Sequence, residues 1–426
     1  MNTIKWRKKM ELGKYSIGIG DRFGRQGKAQ LEAVMKMKAL GTDVTPVWNK
    51  SHREHTLIGT GPADTRREAD DAVQALGWKD PYFVDADHVG MKTVDLFVRD
   101  SDFFTVDVAD FIGKSADEDS VARFVKRHRD RAGLFRVPGI PEGIPLTEKR
   151  IGEIAEHYLY AVREAGRIFR HIEDQRKGKP FVVEVSMDET SAPQTPVELF
   201  FILAAVADEG IPARTVAPKF TGRFNKGVDY VGDVQRFVRE FEEDLAVVAF
   251  AVKEFQMSPG LKLSVHSGSD KFALYGPMNR ALKKFDAGLH LKTAGTTWLE
   301  EVIGLAEAGE DGLVIAKTIY LEALARFDEL CKPYATVIDI DRTKLPGPDQ
   351  VDNWDGKRLA SVLRHDQAHP EYNLHFRQLI HVGYKIAAEM GERYLNALDK
   401  HSRVIGRNVT ENLFERHLKR VFPHKE

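Results

Sequence analysis

Clusters of polar, chemically capable residues follow five of the apolar segments in the chain. They are Gly20-Asp21-Arg22, Asp85-Ala86-Asp87-His88, Asp188-Glu189-Thr190, His266-Ser267-Gly268-Ser269-Asp270-Lys271 and His290-Leu291-Lys292-Thr293. In α/β barrels the carboxyl ends of the strands carry the active site, so these clusters predict one shared pocket. A single Asp after a strand more often caps the next helix, but five clusters after five strands favour a common site.

Three histidines lie at or just beyond apolar segments, where an imidazole can enter the mouth of a barrel: His88, His266 and His290. Neutral imidazoles, alone or with a carboxylate, suit zinc, nickel, manganese or cobalt. A lone histidine at a strand end is more often a core residue or a general base, and no HExxH-type spacing adds a local signature. From the shared placement of all three, we predict a divalent-metal site with these histidines as its ligands.

Acidic residues accompany the histidines at two of these strand ends. Asp87 and His88 point to opposite faces of an ideal strand, so both reach the pocket only if the strand ends there. In the segment 183–189, alternation places three side chains on one face, those of Glu184, Ser186 and Asp188. Glu189 then faces the pocket only from the turn that follows. Acids held in ion pairs within the core are the alternative for this segment.

The glycine-rich segment 18–24 superficially suggests a dinucleotide-binding loop. Its third glycine falls one place late, and Arg22 and Phe23 stand where backbone should approach a pyrophosphate. No P-loop occurs either, so the sequence argues against bound NAD and ATP. Cations near strand ends can still hold a carboxylate or phosphate, although each alone is more often a surface or ion-paired residue: Arg22, Lys219, Arg223, Lys226, Lys271 and Lys292.

The elements that must position these clusters alternate between strand and helix. Strands are predicted at 15–20, 82–88, 103–107, 180–189, 215–218, 261–266 and 288–293, and helices at 27–40, 148–175 and 197–208. This alternation, without Asn-Gly hairpin signals, predicts a TIM-type (β/α)₈ barrel over residues 1–340. Residues 357–426 are charged and helical, and predict a C-terminal cap packed on the barrel. The Pro-, Gly- and Asp-rich stretch 341–356 is the expected linker.

Composition restricts the class of protein. The 426 residues carry 63 basic and 64 acidic side chains, a net charge of -1 that gives no general attraction to nucleic acid or to a membrane. One cysteine, Cys331, excludes a disulfide framework and a multi-cysteine metal site. Because no long apolar stretch or signal core occurs, we expect a cytoplasmic protein. The sequence leaves open whether the protein forms a homo-oligomer.

Seven motifs of the chain carry a resemblance. They are Gly20-Asp21-Arg22-Phe23-Gly24, Asp85-Ala86-Asp87-His88-Val89, Glu184-Val185-Ser186-Met187-Asp188-Glu189-Thr190 with Thr195-Pro196, Lys226-Gly227-Val228-Asp229-Tyr230-Val231-Gly232-Asp233, Leu263-Ser264-Val265-His266-Ser267-Gly268-Ser269-Asp270-Lys271, Lys292-Thr293-Ala294-Gly295-Thr296 and Arg377-Gln378-Leu379-Ile380-His381-Val382-Gly383. Through them the chain resembles the tagaturonate/fructuronate epimerase family of bacterial hexuronate catabolism. One departure is that family members have a longer segment before the Gly-Asp-Arg motif, which here begins at residue 20.

The resemblance implies a metal-dependent barrel isomerase that interconverts two keto-uronic acids differing at the carbon β to the ketone. A proton on that carbon is not acidified by enolate formation, so retro-aldol cleavage and re-addition is the expected route. This route needs a Lewis acid at the ketone oxygen and proton-transferring groups at the β hydroxyl. We assign Asp87 as general base and Glu189 as general acid. Lys271, supported by Arg22, is assigned to the substrate carboxylate, with Asp229 and Asp233 as alternate metal ligands.

Two other classes stay open at this point. The same barrel, metal and cations could serve an aldolase that releases its fragments, or an aldose–ketose isomerase acting on a related sugar acid. A sugar-acid sensor without turnover is a third alternative, but no DNA-binding helix pair or basic patch supports it. Trapping of free aldehyde separates an epimerase, which keeps both fragments bound, from an aldolase.

Overall fold

Short runs of apolar and β-branched residues form the strands of a closed barrel. The computed structural model of the chain describes residues 11–293 and 296–424. Within them, eight parallel strands pair in chain order and close between the last and the first. They are β1 (Tyr15–Ile19), β2 (Val44–Ser51), β3 (Phe83–Val89), β4 (Phe103–Asp107), β7 (Val182–Ser186), β8 (Thr215–Ala217), β9 (Lys262–His266) and β10 (Leu289–Thr293). The predicted TIM-type barrel is confirmed.

Alternation along each strand separates an apolar outer face from a polar interior. In β7, Val183 and Val185 belong to the large apolar core cluster. Glu184, between them, is fully buried and accepts a hydrogen bond from Thr215 Oγ1 of the neighbouring strand at 2.6 Å. The barrel interior therefore contains charged groups that must pair with one another, because an unpaired buried charge is costly.

Helices follow the strands and cover the barrel. They are α1 (Gly27–Ala39), α2 (His52–Ile58), α3 (Pro62–Leu76), α4 (Glu118–His128), α5 (Glu148–Arg176), α6 (Pro196–Asp208), α7 (Val234–Glu254) and α8 (Phe272–Phe285). The strand β3 is joined to β4 by a single 3-10 turn, Val94–Leu96, in place of an α-helix. The predicted helices at 27–40, 148–175 and 197–208 are confirmed to within one residue at each end.

A helical region follows β10. It comprises α9 (Thr296–Ala308), α10 (Glu310–Ala325), α11 (Phe327–Cys331), α12 (Pro348–Asp352), α13 (Gly356–Leu363), α14 (Leu374–Val382), α15 (Tyr384–Met390), α16 (Glu392–Lys400), α17 (Ser402–Glu411), a π-helix (Asn412–Leu418) and α18 (Lys419–Val421). Its helices share a second apolar cluster that includes Trp298, Tyr320 and Leu379. The expected helical C-terminal extension is confirmed.

The division of the chain into a barrel domain that ends at residue 340 and a cap that begins at residue 357 stays a prediction. The expected linker contains α12, and its Val351 and Trp354 are buried in the second apolar cluster. Residues 1–10 and 425–426, at the outer ends of the two predicted domains, lie outside the described residues, as do Ala294 and Gly295 of one motif. No helix in the described ranges is long and apolar enough to cross a membrane.

Two parts of the fold were not predicted. The barrel strand β2 is one, and a small antiparallel pair between β4 and β7, formed by β5 (Gly133–Phe135) and β6 (Ile144–Leu146), is the other. The predicted strand at 180–189 is shorter than expected, because its hydrogen-bonded part ends at Ser186. Its last residues, including Asp188 and Glu189, therefore belong to the loop above the barrel.

Candidate active site at the carboxyl ends of the strands

The end of β3 is distorted in a way that brings two neighbouring side chains to the same pocket. The pairing with β4 shifts register between Ala86 and Val89, and His88 has a backbone φ of 53°. A left-handed conformation in a residue other than glycine costs of order 1–3 kcal/mol and is concentrated at functional sites. Because of this turn, His88 lies 3.8 Å from Asp87, measured between Nε2 and Oδ1. Both therefore reach the pocket.

Three side chains meet above the barrel in an arrangement that could hold a metal ion: His88, Asp188 and His266. One ligand atom from each lies within 4.8 Å of the other two. The imidazole rings are 5.1 Å apart and nearly perpendicular, and His266 Nδ1 lies 3.0 Å from Asp188 Oδ2. Each of the three is partly exposed, so an ion could enter from solvent.

Carboxylates stand behind both imidazoles. Asp107 Oδ2 lies 3.3 Å from His88 Nδ1, and Glu184 Oε1 lies 2.7 Å from His266 Nε2. Each ring therefore has one nitrogen held by a carboxylate behind it, and its other nitrogen faces the pocket, where His266 Nδ1 meets Asp188. Metal-binding histidines commonly show this arrangement, because the carboxylate fixes the ring and raises its basicity. The donor set of two imidazoles and one carboxylate fits zinc, manganese, cobalt or nickel with coordination positions left open.

Lys292 lies among the acids on the inner wall of the barrel. Its Nζ is 2.7 Å from both Asp85 Oδ2 and Asp87 Oδ1, and it donates to Thr105 Oγ1 at 2.6 Å. Burial opposes the charge of Lys292, but Asp85, Asp87 and Glu184 outweigh it and raise its pKa well above the usual value. The ammonium therefore stays charged, and all three of its N–H groups are directed at acceptors of the protein.

Negative charge dominates the pocket. Burial disfavours protonation of His88, yet Asp87, Asp107 and Asp188 outweigh it and raise its pKa to about 10. Burial likewise opposes the protonated form of His266, but Asp188 and Glu184 raise its pKa to about 9. In the absence of a metal ion, the two rings thus hold protons that balance the acids. A divalent cation would supply the same positive charge.

His290 does not join this group, contrary to our prediction. It pairs in register with Ser264, whereas Lys292 pairs with His266, so His290 lies about 7 Å deeper in the barrel. Its Nδ1 is 2.8 Å from Ser16 Oγ, its ring contacts Phe103, and burial holds its pKa well below the usual value. In the group of three side chains that could hold a metal ion, Asp188 stands where we expected His290.

The cation predicted for the substrate carboxylate is engaged by the protein itself. Lys271 is fully buried, and its Nζ donates to the backbone oxygens of Asn225 at 3.0 Å and Val228 at 2.8 Å. Two further acceptors, Ser269 Oγ and Asp270 O, each lie at 3.2 Å. An ammonium with this many acceptors has no free N–H for a ligand. The expected role of Lys271 is therefore not supported.

The other predicted residues lie around the rim. Arg22 is largely buried, with Nε 3.2 Å from Glu54 Oε1 and the guanidinium over the ring of Tyr384 at 4.0 Å. Glu189 is exposed in the turn after β7, and no described residue bonds its carboxylate. The alternate ligands cap helices: Asp233 accepts N–H groups at the start of α7, and Asp229 accepts the N–H of Ala273 in α8.

Sequence reasoning missed four groups of this site. Glu184 and Asp188 were recognised as sharing a face but received no role, and Asp107 was treated only as the end of a strand. Lys292 was grouped with the other cations, although its position two residues after His290 places both on the inner face of β10. That spacing was the available signal.

Comparisons with known proteins give consistent matches. A family model for UxaE, tagaturonate epimerase, matches residues 2–421. The tagaturonate/fructuronate epimerase of Thermotoga maritima is 28% identical over 419 residues, covering 95% of this chain and 80% of the relative. The native crystal structure of fructuronate-tagaturonate epimerase UxaE from Cohnella laeviribosi matches with a TM-score of 0.75 and 23% identity over 96% of this chain and 81% of that one. The complex of that protein with two glycerols matches with a TM-score of 0.76 and 23% identity, over 99% of this chain and 84% of that one. At these identities the crystal structures support the fold.

Proposed function

The chain belongs to the tagaturonate epimerase family and is an isomerase of the epimerase class, and from this premise we propose that it interconverts tagaturonate and fructuronate with a divalent metal ion. The observation that carries the proposal is the group of His88, Asp188 and His266 above the barrel, beside the pair of Asp87 and Lys292. These residues would supply metal ligands and a proton acceptor within one pocket.

We propose that His88 Nε2, His266 Nδ1 and Asp188 hold the ion, with Asp107 and Glu184 fixing the two rings. The protein ligands are those that zinc, nickel, manganese and cobalt accept. A divalent ion bound there would supply Lewis acidity towards the ketone oxygen of the substrate. These three residues would hold the ion and leave it open to the substrate.

The position of the inverted carbon selects the reaction. It is β to the ketone, so its own C–H is not acidified by enolate formation. In the proposed retro-aldol step, the β-hydroxyl proton passes to a base and the bond between the α and β carbons breaks. Its electron pair moves onto the ketone-bearing fragment as an enediolate, and the other fragment becomes an aldehyde. Rotation of the aldehyde and re-addition to its opposite face give the epimer.

Asp87 is our proposed acceptor of the hydroxyl proton. Although burial opposes its charge, Lys292 lowers its pKa to about 2, so the carboxylate is ionised at neutral pH. Lys292 holds Oδ1, and no described residue donates a hydrogen bond to Oδ2. A weakly basic carboxylate takes the proton as bond cleavage makes the hydroxyl acidic, and it then releases the proton readily.

A second proton-transferring group is needed because rotation turns the aldehyde oxygen away from Asp87. We keep Glu189 in this role: it gives a proton to the re-formed hydroxyl, Asp87 releases the proton that it took, and exchange with solvent restores both groups. It follows β7, whereas Asp87 lies on β3, and β4 separates the two strands in the barrel. Its exposed position in the turn leaves its carboxylate able to approach a substrate from that side.

The proposed function is tested by following tagaturonate by NMR with protein loaded separately with Zn²⁺, Ni²⁺, Mn²⁺ or Co²⁺. We expect fructuronate to form until equilibrium, to stop forming after chelator treatment, and to resume when metal is returned. Absence of fructuronate with all four ions contradicts the proposal. Accumulation of trapped aldehyde in stoichiometric amounts would identify an aldolase instead.

A further inference from the structure

The loop between β8 and α7 carries a lysine whose side chain is not committed to the protein. Lys226 is half-buried, and its Nζ makes no hydrogen bond or ion pair with any residue in the described ranges. A Cβ placed on Gly268 would lie 3.4 Å from this Nζ. Since Gly268 follows His266 by two residues, the ammonium lies against the loop that leaves the metal-binding strand.

The backbone on both sides of Lys226 is held by buried polar groups. Lys271 Nζ donates to the carbonyl oxygens of Asn225 and Val228, and the N–H of Gly227 donates to Ser269 Oγ at 2.9 Å. Three loop residues, Asn225, Gly227 and Val228, are therefore bound to the segment that follows β9. The buried ammonium of Lys271 therefore holds the loop in its orientation.

The C-terminal helical region also holds the loop that carries Lys226. Arg377 of α14 is fully buried and donates from Nε to the carbonyl oxygen of Gly227, while its NH2 group lies 2.8 Å from Asp270 Oδ2. On the other side, the N–H of Lys226 itself donates to Val337 O at 2.8 Å. A backbone fixed in this way loses little further freedom when the side chain binds a ligand.

The surroundings of Lys226 favour an anion. The cations Arg53 and Arg22 act on Lys226 electrostatically. Of the two acids that oppose them, Glu54 is already paired with Arg22, and Glu189 is our proposed general acid. Burial first, and then these arginines, lower the pKa of Lys226. A bound carboxylate would reverse that effect. His381 adds a second polar group, because it is buried against Gly227 and neither ring nitrogen has a hydrogen-bond partner among the described residues.

We propose that Lys226 binds the substrate carboxylate and that Lys271, Ser269 and Arg377 are positioning residues for it. The inference rests on the proposed function, in which the carboxylate belongs to the fragment that becomes the aldehyde. An ammonium on a fixed loop beside the metal-binding strand keeps that fragment in place while its carbonyl turns. Lys226 thus takes the role that we first assigned to Lys271.

The test compares Lys226→Met and Lys226→Arg with Arg223→Met, a control that removes an exposed cation from the same loop. Measured quantities are KM for tagaturonate, the inhibition constant of tagatose as its neutral counterpart, metal content and thermal unfolding. Losing a partly buried charged hydrogen-bond partner should raise KM for tagaturonate about 30-fold or more in Lys226→Met. The tagatose constant should change less than about threefold, and Lys226→Arg should restore most of the affinity.

An unchanged KM in Lys226→Met, or an equal rise in Arg223→Met, overturns the inference. If wild-type protein forms no fructuronate, the proposed function itself is wrong, and this is known before any variant is compared. Failure of the proposed function is thus distinguishable from failure of the inference about Lys226. The positioning role is tested with Ser269→Ala, which should raise KM several-fold in the wild-type background. In the Lys226→Met background the same change should have no effect on KM. Equal effects in both backgrounds would assign Ser269 to general stability.

Discussion

Replacing Glu184 by Gln tests whether the groups behind the imidazoles tune the metal site. The change keeps the shape of the side chain but removes its charge. Glu184 is fully buried, its Oε1 lies 2.7 Å from His266 Nε2, and its Oε2 accepts from Thr215 Oγ1 at 2.6 Å. In Glu184→Gln the amide oxygen can still accept from His266, so the ring keeps its orientation but loses its charged partner.

The expected loss of metal affinity follows from the weaker hydrogen bond to His266. A net contribution of about 1.5–3 kcal/mol for a bond to a charged group falls to about 0.5–1.5 kcal/mol for a neutral one. The difference of ~1–1.5 kcal/mol corresponds to roughly a tenfold weaker metal affinity. Loss of such a supporting residue typically weakens metal binding by about 10–100-fold, so the value lies at the lower end of that range.

Competition between the protein and a chromophoric chelator for Zn²⁺ and Mn²⁺ measures this affinity at fixed pH. Thr215→Val is the matched control, since it removes the other hydrogen bond of Glu184 and leaves the carboxylate on His266. Its metal affinity should stay within about threefold of wild type. Equal affinity of Glu184→Gln and wild type, with both folded, would refute the reasoning. So would an equal loss in Thr215→Val.

Four further predictions address the site and the fold. His266→Ala should lose most of the bound metal and activity while remaining folded, and stoichiometric metal with normal turnover would remove it from the ligand set. Asp87→Asn should slow turnover by roughly 10²–10⁴-fold with metal content unchanged, whereas a fully active variant would exclude it as the base. Because the metal-free rings of His88 and His266 have pKa values raised to about 10 and about 9, metal binding must displace their protons. Affinity should therefore rise with pH from 6 to 9, and calorimetry in buffers of different ionisation enthalpy should detect proton release; binding without release contradicts this. Arg377→Met should lower the free energy of unfolding by about 3 kcal/mol in denaturant titrations, since it weakens the neutralisation of buried Asp270, and a loss below ~1 kcal/mol would contradict that role.

The barrel was predictable from the sequence because most strands are short apolar runs with polar ends. The strand β2 was missed because Pro46 interrupts its apolar pattern and its last residues are polar. Proline is tolerated there because pairing with β3 begins only at Val47, so Pro46 pairs with β1 alone. The strands β5 and β6 have three residues each and carry no alternation that could reveal them.

The choice between His290 and Asp188 depends on register, which one sequence does not specify. Alternation predicted one face for Glu184 and Asp188, and in the structure both carboxylates lie next to His266. It could not tell whether His290 or Lys292 lies level with His266, because that depends on how β10 pairs with β9. For Asp87 and His88, the sequence indicated only that both side chains reach the pocket if the strand ends there. In the structure a register shift between β3 and β4 turns His88 towards the pocket.

The two lysines beside the loop after β8 show a different limit of sequence-based prediction. Lys226 and Lys271 both stand in motifs near strand ends, and their residue types do not distinguish them. Lys271 is buried because the loop after β8 folds across it. Arg377, which lies 150 residues after Gly227 in the chain, holds that loop from the other side. Contacts between such distant segments decide which cation is satisfied by the protein and which is left for a ligand.

The label at the inverted carbon tests the central claim most directly. Tagaturonate deuterated at that carbon is incubated in H₂O with metal-loaded protein until NMR shows equilibrium with fructuronate. Carbon–carbon cleavage breaks no bond to that deuterium, so we predict that both isomers keep the full label. Loss of deuterium to solvent in step with epimerisation would contradict the retro-aldol route, because the proton on the inverted carbon would then have been removed.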